Sequence, residues 1–189
     1  MHPTEAVWAR RRAEHVEEVR RAVRRHRGPV AVSHESAALL FGLPVYAHPD
    51  KAQLTRATGS RRTGRVHVSI AELPAEQLRV RDGVVITSPA RTVVDIARAR
   101  GLLAGLVTAD AALRAGTPRK ALHAVLASMP RWPGIGAAQR VAEHAHGSAE
   151  SPLESVVRGR ILDLGLPLPQ LQHPIYADDG GLIARVDFY

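Results

Sequence analysis

The chain has no cysteine, only two lysines and few aromatic residues. Without cysteine it forms no disulfide and no thiolate metal site, so any metal would need oxygen or imidazole ligands. Aromatic residues make up 4% of the sequence, too few for the stacking platform of a single-strand-binding protein. No apolar run reaches the roughly 18 residues of a membrane span, and no apolar segment follows the charged first residues. These features predict a cytoplasmic protein without a membrane-spanning segment.

The positive charge comes almost entirely from arginine, since Lys51 and Lys120 are the two lysines. The formal net charge is +8 and the pI is about 11.0. Such a balance favours a polyanion such as DNA as partner, with contacts mainly to phosphate. The alternative is that arginine simply replaces lysine on solvated helix faces, which would imply no partner.

The arginines are densest near the start of the chain. Between residues 5 and 27, apolar residues recur at steps of three and four, at Ala9, Ala13, Val16, Val19 and Val23. The pattern predicts one amphipathic helix that ends at Gly28, and we treat residues 1–27 as a separate basic segment. The predicted nucleic-acid-binding residues are Arg10, Arg11, Arg12, Arg20, Arg21, Arg24 and Arg25.

The region 28–147 is predicted to form an α+β domain, a small antiparallel sheet with a helical subdomain. Ser33 is the expected N-cap of a short helix over 35–41, which packs against strands at 53–57, 65–71, 78–81 and 84–87. Asp82-Gly83 is a strong hairpin signal between the last two. The segment 33–38 resembles the first helix of a helix-turn-helix, but no recognition helix follows it.

Helices follow the sheet. Ser88 is a predicted N-cap with Pro89 at the first helical position, and further helices are expected over 103–114, 119–128 and 135–146. We place a domain boundary at Gly147-Ser148, because a newly capped helix begins directly after it.

The last segment, 148–189, is predicted to be a helix followed by a hairpin. Ser151-Pro152-Leu153-Glu154 is a capping box that begins a helix to about residue 164. Strands over 171–176 and 182–188 are joined by a Gly-rich turn at 178–181. Strand alternation puts Asp187 on one face with Ile183 and Arg185.

Glu154 on its helix, Gln172-His173-Pro174-Ile175, the Gly-rich turn and Val186-Asp187-Phe188 resemble the very-short-patch-repair-like endonuclease domain of the PD-(D/E)xK superfamily. The resemblance covers roughly a fifth of the chain. It implies that Glu154 and Asp187 are catalytic residues and ligands of a Mg²⁺ ion, which would activate a water molecule for phosphodiester cleavage. The family's third acidic element would follow residue 189. We therefore expect the helix and hairpin to be the incomplete start of a nuclease core, truncated and inactive.

Both carboxylates also have a structural explanation. Glutamate is favoured at the position of Glu154 because it can bond back to the N–H of the cap residue. Asp187 would be tolerated on an edge strand that faces water.

A second resemblance covers roughly residues 30–145. Ser33-His34-Glu35-Ser36-Ala37-Ala38, Gly42-Leu43-Pro44, Val66-His67-Val68 and the segment Thr87 to Asp95 resemble actinobacterial proteins related to AbiE-type antitoxins. Such proteins commonly end in the nuclease-like domain, and they usually begin with a DNA-binding winged helix, in whose place this chain has one basic helix. The resemblance implies DNA and a toxin as partners.

Some polar residues in this stretch allow more than one interpretation. Arg91 and Asp95 are four residues apart on one helix face, which fits a site or, more simply, an intrahelical ion pair. His34 and His67 could ligate a metal, but isolated histidines are more often hydrogen-bonded or exposed.

Three hypotheses about function follow from the sequence. The first is a truncated, inactive member of a metal-dependent endonuclease family. The second is a non-catalytic DNA-binding regulator of antitoxin type, whose DNA affinity falls with salt and survives removal of residues 148–189. The third is a gene remnant without a function of its own. The sequence makes no prediction about oligomeric state.

Overall fold

A computed structural model of the chain describes residues 3–59 and 62–189. In these ranges the helices are α1 (Pro3–Arg25), α2 (His34–Phe41), α3 (Pro89–Arg100), α4 (Leu102–Arg114), α5 (Arg119–Ala127), α6 (Ile135–His144) and α7 (Pro152–Asp163). The strands are β1 (Ala31–Val32), β2 (Ala52–Arg56), β3 (Arg62–Thr63), β4 (Val66–Ile70), β5 (Leu78–Arg81), β6 (Val84–Thr87), β7 (Leu171–Tyr176) and β8 (Leu182–Phe188). Every predicted helix is present with ends within about two residues of the prediction. Residues 1 and 2 of the predicted basic segment lie outside the described residues.

The main sheet is mixed, so the predicted antiparallel sheet is wrong in part. Its six described strands have the order β3-β4-β2-β1-β6-β5. Strand β1 pairs antiparallel with β2 but parallel with β6, and β2 pairs parallel with β4. The hairpin of β5 and β6 is antiparallel as predicted, with Asp82 and Gly83 at positive φ. The two-residue strands β1 and β3 escaped prediction because a periodic pattern needs more residues to be recognised.

The cap of α2 differs from the prediction, whereas the cap of α3 agrees with it. Ser33 precedes α2 but makes no side-chain capping bond; its Oγ instead accepts a hydrogen bond from Thr55 Oγ1 at 2.7 Å. Ser88 does cap α3, since its Oγ accepts from the N–H of Arg91 at 3.3 Å. A buried hydroxyl therefore holds the start of α2 to strand β2 rather than to its own helix.

Two hydrophobic cores form on either side of α2. One lies between α1, α2 and the sheet and contains Val19, Ala37, Leu54 and Ile86. The other joins α3, α4, α5 and α6 through a larger set of small and branched side chains. Helix α2 contributes to both, because Ala37 faces the sheet and Ala38 faces the helices.

Of the α1 residues whose burial is described, 6–25, those in the second half face the core. Val19 is fully buried and Val16 and Val23 are partly buried, as predicted. Ala9 and Ala13 are exposed, as are all residues from 6 to 14, so the predicted apolar stripe is buried only along the second half of the helix. The first half of α1 does not pack on the sheet, whereas Val19 in the second half does.

Helix α7 packs on α4, and the β7–β8 hairpin forms a separate two-stranded sheet. The contact is close, because a Cβ on Gly159 of α7 would lie 2.5 Å from Leu103 of α4. The boundary predicted at residue 147 implies that residues 148–189 fold independently of the preceding domain, and this stays a prediction.

Among the described helices none is both long enough and apolar enough to cross a membrane.

Candidate functional site

The two predicted catalytic carboxylates meet at one amide group. Gln172 Nε2 donates to Glu154 Oε2 at 3.3 Å and to Asp187 Oδ1 at 3.1 Å. Gln172 is at the start of β7 with a positive φ of 54°, and Asp187 lies opposite on the antiparallel strand β8. Glu154 projects from the first turn of α7. Helix and hairpin thus bring together residues that are far apart in the sequence.

Glu154 also has a structural role in the helix cap, although its side chain bonds to the N–H of Glu150 and not, as predicted, to that of the cap residue Ser151. It is buried, its N–H donates to Ser151 Oγ at 3.2 Å, and its Oε2 accepts from the N–H of Glu150 at 3.0 Å. Burial opposes ionisation, but hydrogen bonds from Ser151, Glu150 and Gln172 outweigh it and lower the pKa of Glu154. The side chain is therefore a carboxylate held in the helix cap.

The described residues do not fit a Mg²⁺ ion at this place. Nowhere in the described ranges do three or more His, Cys, Asp or Glu side chains come together in a way that could hold a metal. The group between Glu154 and Asp187 is the amide nitrogen of Gln172, which is a donor and would repel a cation. Asp187 itself is exposed on a strand of a two-stranded sheet, where an acid is tolerated.

The seven predicted DNA-binding arginines of α1 divide into three groups. Arg10 pairs with Glu14 at 2.8 Å and Arg20 pairs with Glu17 at 2.7 Å, so their charges are partly balanced. Arg12 donates from Nε to the carbonyl of Leu39 at 2.9 Å. The others show no ion pair with any described residue, and these are Arg11, Arg21, Arg24 and Arg25.

Two of these arginines line a basic groove that the sequence did not reveal. Arg21 and Arg25 of α1, together with His26, face Arg65 and Val66 across an opening of about 620 Å³. Glu18 is the one acidic residue among the described residues of this lining. Arg65 stands directly before strand β4, and only the packing of α1 against the sheet places it beside the helix. The groove is lined by three arginines and one carboxylate, so its charge is positive and suits an anionic group such as a phosphate.

The segment Thr87 to Asp95, which carried the second resemblance, is buried and structural. Arg91 is 1% exposed and its Nε donates to Asp95 Oδ2 at 2.8 Å. Its Nη1 donates to Gln77 Oε1 at 2.6 Å and to the carbonyl of Glu72 at 3.1 Å. The predicted intrahelical ion pair is confirmed, and it ties α3 to the segment before β5.

His34 and His67 line one pocket but do not form a metal site with other described residues. His34 Nδ1 lies 2.9 Å from Ser33 Oγ, and His67 is exposed. The hydrogen-bonded and exposed states predicted as the simpler alternative are confirmed.

An apolar cleft of about 560 Å³ lies between α1, the loop after α2 and the start of α7. Trp8, Tyr46 and Leu153 line it and are 46%, 49% and 70% exposed. Exposed apolar and aromatic side chains gathered in one cleft mark a candidate protein-binding surface.

Comparisons with known proteins concern the central part of the chain. Residues 29–143 match the model of the family described as AbiEi antitoxin C-terminal domain. The matched residues run from β1 into α6 and leave out the α1 arginines, Glu154 and Asp187. No solved structure matches the chain significantly.

Two relatives are uncharacterized proteins of Mycobacterium tuberculosis, MT2308 of strain CDC 1551 and Rv2248 of strain H37Rv. Each is 37% identical over 131 residues, which are 69% of this chain and 48% of the relative. The chain thus spans about half the length of the relatives it matches. Because the family match covers more than half of the sequence and coincides with the sheet and its helices, the chain belongs to the AbiEi antitoxin C-terminal domain family.

Proposed function

We propose that this chain is a non-catalytic regulator of antitoxin type, which binds duplex DNA through the basic groove and a toxin through another surface. Such a protein would act in the cytoplasm. One observation carries the DNA-binding part: Arg21 and Arg25 of α1 and Arg65 before β4 converge on one groove. Family membership supports the antitoxin part, because the matched region is the folded body of the chain.

The groove suits a phosphate backbone better than bases. Arginine donates in a fork that matches two phosphate oxygens, and Arg21, Arg25 and Arg65 are all exposed. Aromatic residues for base stacking are absent from the described lining of the groove. We therefore expect affinity with little sequence preference from the groove alone.

The DNA-binding proposal is tested by fluorescence anisotropy with a labelled duplex over a series of salt concentrations. Affinity should fall steeply with salt, and Arg21→Ala, Arg25→Ala and Arg65→Ala should each reduce the slope of log affinity against log salt by about one. Arg160→Ala, which removes an exposed arginine of α7, is the matched control and should leave the slope unchanged. No binding in dilute buffer would refute the proposal.

A toxin would bind at the apolar cleft. Trp8 and Tyr46 are of the residue types that contribute most binding energy in protein interfaces, and both are exposed beside Leu153. Co-production with the proteins encoded beside its own gene should recover a complex that Trp8→Ala and Tyr46→Ala weaken. A complex unaffected by either substitution would place the partner elsewhere.

A second candidate function is that of an endonuclease-like protein with Mg²⁺ as cofactor. The observation in its favour is that α7 and the β7–β8 hairpin bring both acidic side chains to the same residue, Gln172. The described residues do not hold Mg²⁺ by themselves, so this function would need a further ligand for the ion. Nicking of supercoiled plasmid with and without Mg²⁺ separates the two functions. We expect no nicking; Mg²⁺-dependent nicking that Asp187→Asn abolishes would favour the nuclease.

A further inference from the structure

Helix α7 carries large apolar side chains on the face that is turned towards solvent. Its buried residues are polar or small, and these are Glu154, Ser155, Arg158 and Gly159. Three large apolar residues of the helix and its C-cap are instead exposed, Leu153 by 70%, Val157 by 37% and Leu164 by 73%. A surface helix normally buries its apolar face, so the described residues leave the apolar face of α7 uncovered.

These apolar residues form one continuous line, which we call the α7 stripe. With a rotation of about 100° per residue, positions 153, 157, 161 and 164 lie within an arc of about 80°. This arc lies opposite Gly159, the residue that packs closely on α4. At the end of the helix the N–H of Leu166 donates to the carbonyl of Ile161 at 3.1 Å, and Leu166 is 53% exposed. The stripe therefore consists of Leu153, Val157, Ile161, Leu164 and Leu166.

The exposed area of the α7 stripe is that of a small protein interface. A fully exposed leucine or valine side chain offers on the order of 100 Å² of apolar surface, so the exposed fractions give roughly 250 Å² per chain. A standard interface buries about 800 Å² on each partner, of which somewhat more than half is apolar. The stripe supplies about half of that apolar area, which suits a weak, reversible association.

The spacing of the stripe fits a second copy of itself. In an antiparallel pair of α7 helices related by a two-fold axis, position 153 of one copy lies opposite position 164 of the other. Position 157 then lies opposite position 161. Every one of these contacts is apolar, and the symmetry forms each of them twice. Apolar residues at steps of three and four along one face are what such helix pairs use.

Charge also favours a second copy as the occupant. Residues 148–189 contain six acidic and three basic residues, whereas residues 1–147 contain twelve acidic and twenty-three basic residues. Two copies of a protein with a net charge of +8 repel each other least when they approach through the acidic segment. That segment of one copy then lies beside the basic body of the other. The same charges disfavour nucleic acid at the α7 stripe.

We propose that two copies of the chain form a two-fold dimer through antiparallel pairing of their α7 stripes. The dimer goes beyond the proposed function, because it requires neither DNA nor a toxin. Leu153 also lines the apolar cleft, but Val157 and Leu164 do not. Substitutions at these two residues therefore test the dimer separately from the cleft.

Sedimentation equilibrium of the whole chain from about 5 to about 500 µM tests the proposal, because interfaces of this size bind weakly. We expect a monomer–dimer equilibrium within this range. Val157→Glu and Leu164→Glu each place a charge in the apolar contact and should raise the dissociation constant roughly tenfold or more, with an unchanged circular dichroism spectrum. Val7→Glu, at a valine of α1 that is 56% exposed, is the control and should not change it. A chain that stays monomeric, or a dimer that both substitutions leave intact, would overturn the proposal.

A charge swap tests the antiparallel register. Leu153→Lys and Leu164→Glu should each form a weaker homodimer than the unmodified chain. An equimolar mixture of the two variants should associate more tightly than either variant alone, because the new ammonium group at position 153 lies opposite the new carboxylate at position 164. Sedimentation velocity measures the mixture and both variants at one concentration. A mixture that associates no better than the separate variants would contradict antiparallel pairing.

Discussion

Arg91 illustrates how a charged residue becomes part of the core. Its guanidinium lies 5.5 Å from the centre of the Trp132 ring, in addition to its bonds with Asp95, Gln77 and Glu72. Burial of a charge is tolerated only where such partners replace water. Asp95 in turn accepts from Arg98 at 3.2 Å, so one carboxylate serves two arginines.

The Arg91–Asp95 pair should therefore be essential for stability. Asp95→Asn leaves Arg91 buried without its countercharge and should lower the free energy of unfolding by about 3–5 kcal/mol. Urea unfolding followed by circular dichroism measures the effect. Glu14→Gln, which breaks the exposed Arg10–Glu14 pair, should hardly move the midpoint. A small effect of Asp95→Asn would mean that Asp95 is not the partner that stabilises Arg91.

His15 should make the protein sensitive to acid. Burial, aided by the nearby charge of His48, lowers the pKa of His15 from 6.5 to about 4, and its Nε2 lies 2.8 Å from Ser36 Oγ. Protons then bind the unfolded state more readily. The stabilising contribution is complete above pH 6.5 and decreases as the pH falls from 6.5 towards about 4.

Urea unfolding at several pH values across this window tests the role of His15. His15→Gln should be less sensitive to acid than the unmodified chain, whereas exposed His123→Gln should behave like the unmodified chain. An equal loss of stability in all three proteins would assign the acid sensitivity to other groups, such as His34, whose pKa burial also lowers.

At the scale of elements, helices α3, α4 and α6 meet through small side chains. A Cβ on Gly105 of α4 would lie 2.6 Å from Val141 Cγ2 of α6 and 2.7 Å from Ala97 Cβ of α3. Real side chains do not approach so closely, so the three helix axes are as near as glycine allows.

Gly105→Ala should separate these helices and lower the free energy of unfolding by about 1–3 kcal/mol through overpacking. Gly136→Ala is the matched control, because a Cβ there meets no atom within 4 Å. That substitution should be neutral or slightly stabilising, since alanine favours the helix more than glycine does. Thermal unfolding compares the two, and equal midpoints would contradict the close packing.

On the scale of the whole molecule, α7 is attached more firmly than the hairpin that follows it. Arg158 of α7 forms a buried ion pair with Asp110 of α4 and donates to the carbonyl of His144. The hairpin is attached through exposed or partly buried polar contacts such as Arg185 with Glu150 at 2.8 Å.

Two truncations should therefore differ. Removal of residues 165–189 should leave a cooperative unfolding transition close to that of the whole chain. Removal of residues 148–189 leaves Asp110 without Arg158 and should lower the free energy of unfolding by several kcal/mol. Differential scanning calorimetry measures both, and equal stability would show that residues 148–164 fold independently of α4. DNA affinity is best tested in the variant that lacks only residues 165–189, because that variant should stay folded.

Local sequence patterns predicted most helices and strands, because the ends of these elements depend on residues that are neighbours in the sequence. The Asp82-Gly83 turn needs positive φ at both positions, and Ser88-Pro89 supplies both a cap and a fixed φ, so each was recognisable without tertiary contacts. The central strand β1 has two residues and is held by partners on each side, which no local pattern reports.

The amino-acid sequence by itself determined the helices, the hairpins, the basic character of α1 and the resemblance to an antitoxin family, because each depends on residues close together in the chain. Only the tertiary structure decided the mixed strand order, the meeting of Arg65 with α1 and the shared Gln172 amide. Those contacts join segments that are distant in the sequence. They form only when helices and strands pack their apolar faces together, and that packing depends on the free energy of the whole fold.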